Sequence, residues 1–510
     1  MDSLPTSPSF SIMSATGALL TTVVAIGCVT ILYQTLVQWY RLSHVPGPFW
    51  AAFSKTWMVR ESLKGRQPQS IKAANDKYGS LVRIGPNELV TDDPETLRRM
   101  NSLRGGYERG PWYDAMRFDP TRDNLFCMRD EEAHAKLRNK MTAGYAGKEN
   151  ESMEATIEHE IAKLVELIET KYISSGSDYR PMDFGQKGQF FTLDVISHLA
   201  FGHAFGYLQT DDDVYDYIKI TTSFIPIMMV LSNIPALARM LQSPMLRGLM
   251  PKESDKLGFG AFIGVAKSVV AKRFGPYAVP QSDMLGSFIR NGLTQEEASG
   301  EALLQVVAGS DTSATTIRIV LLYLLTNVNA YRKLQAEIDA GIAAGKISSP
   351  ITNAEARKLP YLQAVIKEGL RIKPPAGGAF FKTVPPGGDT IDGKFIPGGT
   401  QIGVSPLGIH HSKKMFGEDA EMFVPERWLE AKGDKLEEMS STVDLVFHSG
   451  KWQCLGKTVA LMEFNKIFVE LLRRFDFQIA HPERPAQIVN AGIWLIDEFW
   501  VRVTRRNESS

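Results

Sequence analysis

A chain of 510 residues with 57 lysines and arginines against 57 aspartates and glutamates has no net charge, which removes the basic field that a nucleic-acid partner requires. Hydrophobic residues at 44% and charged residues at 22% suffice for a large core and exclude a disordered or fibrous chain. The three cysteines, Cys28, Cys127 and Cys454, are odd in number and far apart, which argues against a disulfide framework or a clustered zinc site and for a reducing compartment.

The N-terminal stretch differs from the rest: from Ser3 to Tyr40 no side chain is charged. The run exceeds the roughly 20 apolar residues that a bilayer-spanning helix needs. Trp39 and Tyr40 suit the lipid–water interface, and Arg41, Lys55 and Arg60 put positive charge beyond it. A cleaved signal peptide would carry a basic n-region and a shorter apolar run. The expectation is therefore a single-pass anchor over residues 1–41 with a cytosolic body. Next comes "HVPGPFW", an elbow over residues 42–50 stiffened by Pro46 and Pro48. No repeat or long linker follows, so residues 51–510 read as one large domain.

"YGSLVRIGPNELVTDD" predicts two short strands joined at Gly85-Pro86, with a helix from about Pro94. Helical patterns dominate from Asp130 to about Lys346. Within them, "ITTSFIPIMMVLSNIPALARMLQSPMLRGLM" reads equally as buried core or as a membrane-adjacent lid. Thr294 and Glu297 form a capping box opening a long helix, apolar on nearly all sides and so expected to be buried. Asp311 and Thr312 interrupt it, which is costly unless they bond or react. "KLPYLQAVIKEGLRI" is a helix stopped by Pro374-Pro375, with Glu368 and Arg371 three apart on one face. "TVPPGGDTIDGKFIPGGTQIGVS" reads as strands with Gly/Pro turns. Two sequons, at Asn150 and Asn507, are expected to stay unused on a cytosolic chain.

Cys454 lies between Gly450 and Gly456, just before a helix whose Phe464, Ile467, Phe468, Leu471, Leu472 and Phe475 keep helical spacing. A lone cysteine is ordinarily an apolar filler. At a helix mouth, free amide N–H groups and the dipole favour its thiolate, which suits a single axial ligand to haem iron. Glycines on both sides let the backbone approach something flat.

With these residues in view, the chain closely resembles the cytochrome P-450 monooxygenases. Phe447, Gly450, Cys454 and Gly456 match the family's FxxGxRxCxG loop, and Glu368 and Arg371 in "KEGLR" match its ExxR helix. Phe423, Pro425, Glu426 and Arg427 in "FVPERW", and "AGSDTS" from Ala308 to Ser313, match two further motifs. "HAKLR", His134 to Arg138, resembles the helix whose basic residues hold a haem propionate. Two positions depart from the pattern: Trp452 stands where arginine or histidine is usual and Lys382 where arginine is usual, and the "KWQCLGK" loop resembles that of filamentous-fungal members such as pisatin demethylase.

The resemblance implies a mainly α fold with smaller β-sheets, an α+β architecture. It implies haem b with Cys454 as axial ligand, and Phe447, Gly450, Trp452, Gly456, His134, Arg138 and Lys382 around the cofactor. Asp311 and Thr312 would deliver protons, and Glu368, Arg371 and Arg427 would form a buried structural network. One atom of O2 would enter a lipophilic small molecule by hydroxylation, epoxidation or dealkylation, in fungal secondary metabolism at the endoplasmic reticulum. No nicotinamide or flavin fingerprint is visible, so electrons would come from a separate NADPH-dependent flavoprotein reductase. Lys136, Lys140, Lys451, Lys457, Lys466 and Arg473 are expected to form its docking face. The alternatives are an isomerase or dehydratase on the same fold, against which the retained Asp311-Thr312 pair speaks, or a haem-binding membrane sensor or carrier.

Overall fold

The computed structural model describes residues 9–147, 149 and 152–506, so both sequons and the Cys28 side chain lie outside the described residues. Helix α1 (Ser9–Arg41) opens the chain. Its side chains from Gly17 onward are almost all exposed, which is unfavourable in water and suited to lipid.

The elbow then folds onto the body. Leu42 and Val45 are buried, and His44 Nε2 lies 2.9 Å from Phe395 O. Arg83, itself buried, donates to Trp39 O at 3.1 Å and Gln38 O at 3.0 Å, while Arg41 Nη2 donates to Gly398 O at 2.8 Å. The last turn of α1 leaves carbonyls without intrahelical partners, and these guanidinium contacts satisfy two of them.

Strands β1 (Leu81–Arg83) and β2 (Glu88–Thr91) form at the two expected positions, and a helix capped by Asp93 begins at Pro94. With β3 (Glu108–Arg109), β4 (Lys382–Thr383) and β5 (Gln401–Val404) they make a sheet in the order β1-β2-β5-β4-β3. Only the β2–β5 pair is parallel. Among the described residues one three-stranded and two two-stranded sheets complete the strands, and helices make up most of the remainder.

The helices that position the site are α2 (Glu131–Tyr145), α3 (Met153–Leu167), α4 (Phe184–Phe201), α5 (Tyr217–Asn233), α6 (Gln295–Thr326), α7 (Pro360–Ile372) and α8 (Lys457–Leu472). Helix α6 starts from the expected capping box: Glu297 N–H donates to Thr294 Oγ1 at 3.2 Å and Thr294 N–H to Glu297 Oε2 at 2.8 Å. It runs through the core, packed most extensively on α4, because neither helix has a polar face to give to water.

The proline-punctuated apolar segment has two faces. In α5, Ile220, Ile225, Met228 and Met229 are buried, whereas Ile227 is 55% exposed and, in the short helix after it, Met240 is 51% exposed. The core reading describes one side of the segment, and the other side is apolar and exposed.

Candidate functional site

The cysteine loop is a tight structure closed by its own backbone. Cys454 N–H donates to Phe447 O at 2.8 Å, and the buried Phe447 ring lies 5.4 Å from Lys457 Nζ. Gly450 has φ +57°, and a Cβ there would sit 2.2 Å from Asn101 O. That glycine is therefore demanded by the turn and by a neighbouring carbonyl. Gly456 is different: it caps α8, and the atom an added Cβ would meet is Cys454 Sγ at 3.8 Å. It leaves space beside the sulfur.

The amides of Gly456 and Lys457 face the thiol, as a helix mouth should provide. Burial outweighs them and pushes the thiol above its ordinary value. The helix mouth thus favours the thiolate as expected, and burial opposes it.

Cys454, Tyr145 and His448 keep accessible area although protein surrounds each of them. Such a combination describes the wall of an internal slot. In the middle of the buried helix α6, Ala308 and Thr312 are also accessible. Helices α6 and α8 touch, with Ser313 bonded to Glu463, a carboxyl that burial pushes up to about 8. Aromatic rings adjoin the loop: Phe380 packs 4.7 Å from His448, 5.6 Å from Trp112 and 6.3 Å from Phe126.

Beside the loop lies a cluster of positive groups. Trp452 is enclosed by His134, its ring centroid 4.4 Å away, by the Arg109 guanidinium at 4.0 Å and by Lys382 Nζ at 4.1 Å. Trp452 Nε1, Lys382 Nζ and Arg109 Nε are buried without a hydrogen-bond partner. Arg109 spends its other arm on Leu125 O at 2.7 Å and Met128 O at 2.9 Å. Arg138 stands between this cluster and Cys454, feeling both, and among the described residues no carboxylate pairs with it. The cost is visible in the proton affinities. Burial, then Arg109 and Lys451, depress Lys382 well below the usual amine range. Burial, then Arg109 and Arg138, depress His134 to about 3, and burial lowers Arg109 to about 10.

Asp311 and Thr312 are neighbours that point to different partners. Thr312 Oγ1 donates back to Ala308 O at 2.8 Å, on the accessible side. Asp311 is buried on the other side, accepting from Gln189 Nε2 at 2.7 Å and from Tyr217 O–H at 2.9 Å. Burial pushes its carboxyl up to about 6, against the hydrogen bond from Tyr217. No hydrogen bond joins Asp311 to Thr312.

Glu368, Arg371 and Arg427 form one closed knot. Arg371 Nε and Nη2 each donate to Glu368 at 2.8 Å, and its remaining N–H groups reach His410 O, Ala420 O and Met422 O. Arg427 Nε donates to Glu368 Oε1 at 3.0 Å, and its Nη1 pairs with Asp419 at 3.0 Å. Trp428 Nε1 and Val424 N–H donate to the same glutamate at 2.9 and 2.8 Å.

The expected basic docking face is not a free positive surface. Lys466 is fully buried, donating to Glu154 at 2.8 Å and Glu158 at 2.5 Å on α3, so it ties two helices together. Lys451 is mostly buried against Glu131, Lys140 pairs with Glu297, Lys457 with Asp444, and Arg473 with Glu470. Lys136 is 71% exposed and pairs with Glu132.

Arg109, Tyr145, His448, Gln189 and Tyr217 were not singled out from the sequence. His448 is an unspecified position of the cysteine-loop motif, and the others reach the site through tertiary packing that no motif or spacing marks.

The description "Cytochrome P450" belongs to the family model that matches residues 44–498. Cytochrome P450 monooxygenase ABA1 of Pyricularia oryzae is 43% identical over 493 residues, spanning 95% of this chain and 96% of its own. Cytochrome P450 monooxygenase aba1 of Botryotinia fuckeliana is 42% identical over 467 residues, spanning 91% and 92%. Cytochrome P450 monooxygenase abl1 of Leptosphaeria maculans is 40% identical over 461 residues, spanning 89% and 81%.

Proposed function

The chain belongs to the cytochrome P450 family and is a haem-dependent monooxygenase; on that premise we propose that it oxidises a medium-sized lipophilic compound of fungal secondary metabolism, such as a polyketide, terpenoid or phenolic. The observation that carries this reading is the pairing of an accessible but deeply enclosed Cys454 with a buried cluster of cations and donors in which three nitrogens have no hydrogen-bond partner. Haem b fits both halves. Cys454 would be its axial ligand, and the cation the thiol lacks is the iron. The propionates would take Arg138, Lys382, Trp452 Nε1 and Arg109 Nε, with His134 packed behind Trp452, so orphaned donors and missing anions answer one another. When bound, haem supplies oxygen activation.

What remains is done by the chain. Phe447 and Gly450 close the turn that aims the sulfur, and Gly456 keeps the space beside it clear. The Glu368–Arg371–Arg427 knot braces the segment that leads to the cysteine loop. Thr312 places a hydroxyl in the slot, and Asp311 holds a proton one residue away in a water-poor interior. The aromatic wall of Trp112, Phe126 and Phe380 suits an apolar substrate. Residues 1–41 would anchor the protein in the endoplasmic reticulum membrane, residues 42–50 would set the elbow, and residues 51–510 would form the catalytic domain, with electrons from an NADPH-dependent flavoprotein reductase.

The test supplies reductase, NADPH and isotopically labelled O2 to membranes carrying the full-length protein, with a panel of terpenoid, polyketide and phenolic probes. One labelled oxygen atom in the product is expected, with Thr312→Ala diverting NADPH to hydrogen peroxide. Rearranged, unlabelled product would favour the isomerase reading, and no product with any probe would remove the proposed substrate classes.

A further inference from the structure

A proton carrier in a dry interior faces a difficulty: gaining or losing its proton must not strand a buried partner. Around Asp311 one side is fixed. Oδ1 accepts from Gln189 Nε2 at 2.7 Å, and Gln189 Oε1 in turn accepts from Arg318, whose other arm donates to Ile496 O at 3.2 Å. The other side is adaptable. Oδ2 faces the Tyr217 hydroxyl at 2.9 Å, that hydroxyl lies 3.1 Å from Ser310 Oγ, and Ser310 Oγ lies 2.7 Å from Val306 O. Each hydroxyl has one proton and two lone pairs. With Asp311 ionised, Tyr217 O–H donates to Oδ2 and Ser310 O–H to Val306 O. With Asp311 protonated on Oδ2, its O–H donates to the Tyr217 oxygen, and the Tyr217 proton turns to Ser310 Oγ. Ser310 still donates to Val306 O. Neither state leaves the Asp311, Tyr217 or Ser310 donor without an acceptor.

We propose that Tyr217 and Ser310 are positioning residues of the proton relay, a reversible hydrogen-bond chain that lets Asp311 hold or release a proton without stranding a buried partner. The inference rests on the reading of Asp311 as proton carrier and deepens it. Three groups face the carboxyl, Tyr217 from α5, Gln189 from α4 and Arg318 on the same helix, and Tyr207 of the short helix Tyr207–Thr210 feels its charge. Arg318 is also drawn to Asp497 and Asp183, and Phe262 of the neighbouring helix packs 5.2 Å from the Tyr217 ring with no charge of its own. With the carboxyl pushed to about 6, both states are populated close to neutrality. Because Tyr217 lies on α5, the relay is built into the same helix whose other face is the exposed apolar one.

The test is an infrared pH titration of the haem-loaded, full-length protein, following the protonated-carboxyl band that Asp311→Asn abolishes. Tyr217→Phe removes the donor to the ionised form, so the midpoint rises by about one unit. Ser310→Ala leaves that donor in place but takes the acceptor that the protonated form needs, so the midpoint falls by about one unit. A merely structural role would not move the two variants in opposite directions. If Tyr217→Phe fails to fold, the downward shift in Ser310→Ala still decides. Unmoved midpoints, or an upward shift in Ser310→Ala, overturn the proposal. The titration reads the carboxyl and not turnover, so such a failure leaves Asp311 as proton carrier to be judged separately, by product formed per NADPH in Asp311→Asn.

Discussion

Two buried charge clusters in this molecule are built on opposite plans. Around Glu368 each charge meets its opposite: one carboxylate accepts from two arginines, a tryptophan and a backbone N–H, and Asp419 takes the second arginine. Around Trp452 the groups that touch the ring are positive or neutral, the nearby Glu131 being taken up by Lys451, and three of their nitrogens have no partner. The first cluster is finished by the chain itself and fixes the fold. The second leaves donors that the chain itself does not pair, which is why the propionates of the proposed cofactor are assigned there.

The sharpest way to break this contrast is to remove one arginine from the finished cluster. Arg371→Ala leaves Glu368 fully buried with a single cation and should cost about 3–5 kcal/mol. Urea melts and the yield of haem-loaded protein read the loss. A melting curve within about 1 kcal/mol of wild type would mean that the network is not closed in the way described.

In the unfinished cluster the same operation should have split consequences. Lys382→Met removes a stranded amine, so the haem-free protein should gain about 1–2 kcal/mol while its hold on haem weakens by about 1.5–3 kcal/mol. Arg138→Ala should likewise lower haem occupancy. Trp452→Arg in that background should restore part of it, but at the expense of the haem-free state, since the new guanidinium would stand beside Arg109 and Lys382. Haem-free melts and haem titrations separate the two effects. If Lys382→Met destabilised both states equally, the contrast between the clusters would be lost.

A smaller effect appears in pH. His134 and His448 are held at about 3 by burial and nearby cations, whereas an unfolded histidine titrates near ~6.5. Between those values the unfolded chain binds more protons than the folded one, so stability of the haem-free protein rises with pH up to about 6.5 and is lost as pH falls below it. Each histidine contributes at most about 1.4 kcal/mol per pH unit in that window. Haem, by bringing carboxylates, should flatten the profile. A profile that is already flat without haem would remove the electrostatic account of the cluster.

What the sequence made legible was local. The capping box of α6, the two strands around Gly85-Pro86 and the end of α7 before Pro374-Pro375 are dictated by neighbours within a few residues, and all form where expected. Glu368 and Arg371 could be paired from their spacing, and Cys454 could be placed at a helix mouth. Arg109 and His448 could not be placed, because they reach Trp452 and Phe380 by packing between distant segments. Lys466 misled for the same reason. Among apolar neighbours on α8 it looked like a solvent-seeking charge, and its acids lie one turn apart on α3, some 300 residues earlier in the chain. Gly450 also has constraints that the sequence did not reveal: a positive φ and the Asn101 carbonyl.

The central claim is that Cys454 supplies the thiolate that holds haem iron. The most direct measurement is the spectrum of the reduced, full-length protein with carbon monoxide. Wild type should show the red-shifted Soret band of thiolate ligation, Cys454→Ser should lose it, and replacement of Cys28 or Cys127 should leave it in place. Persistence of that band in Cys454→Ser would contradict the account.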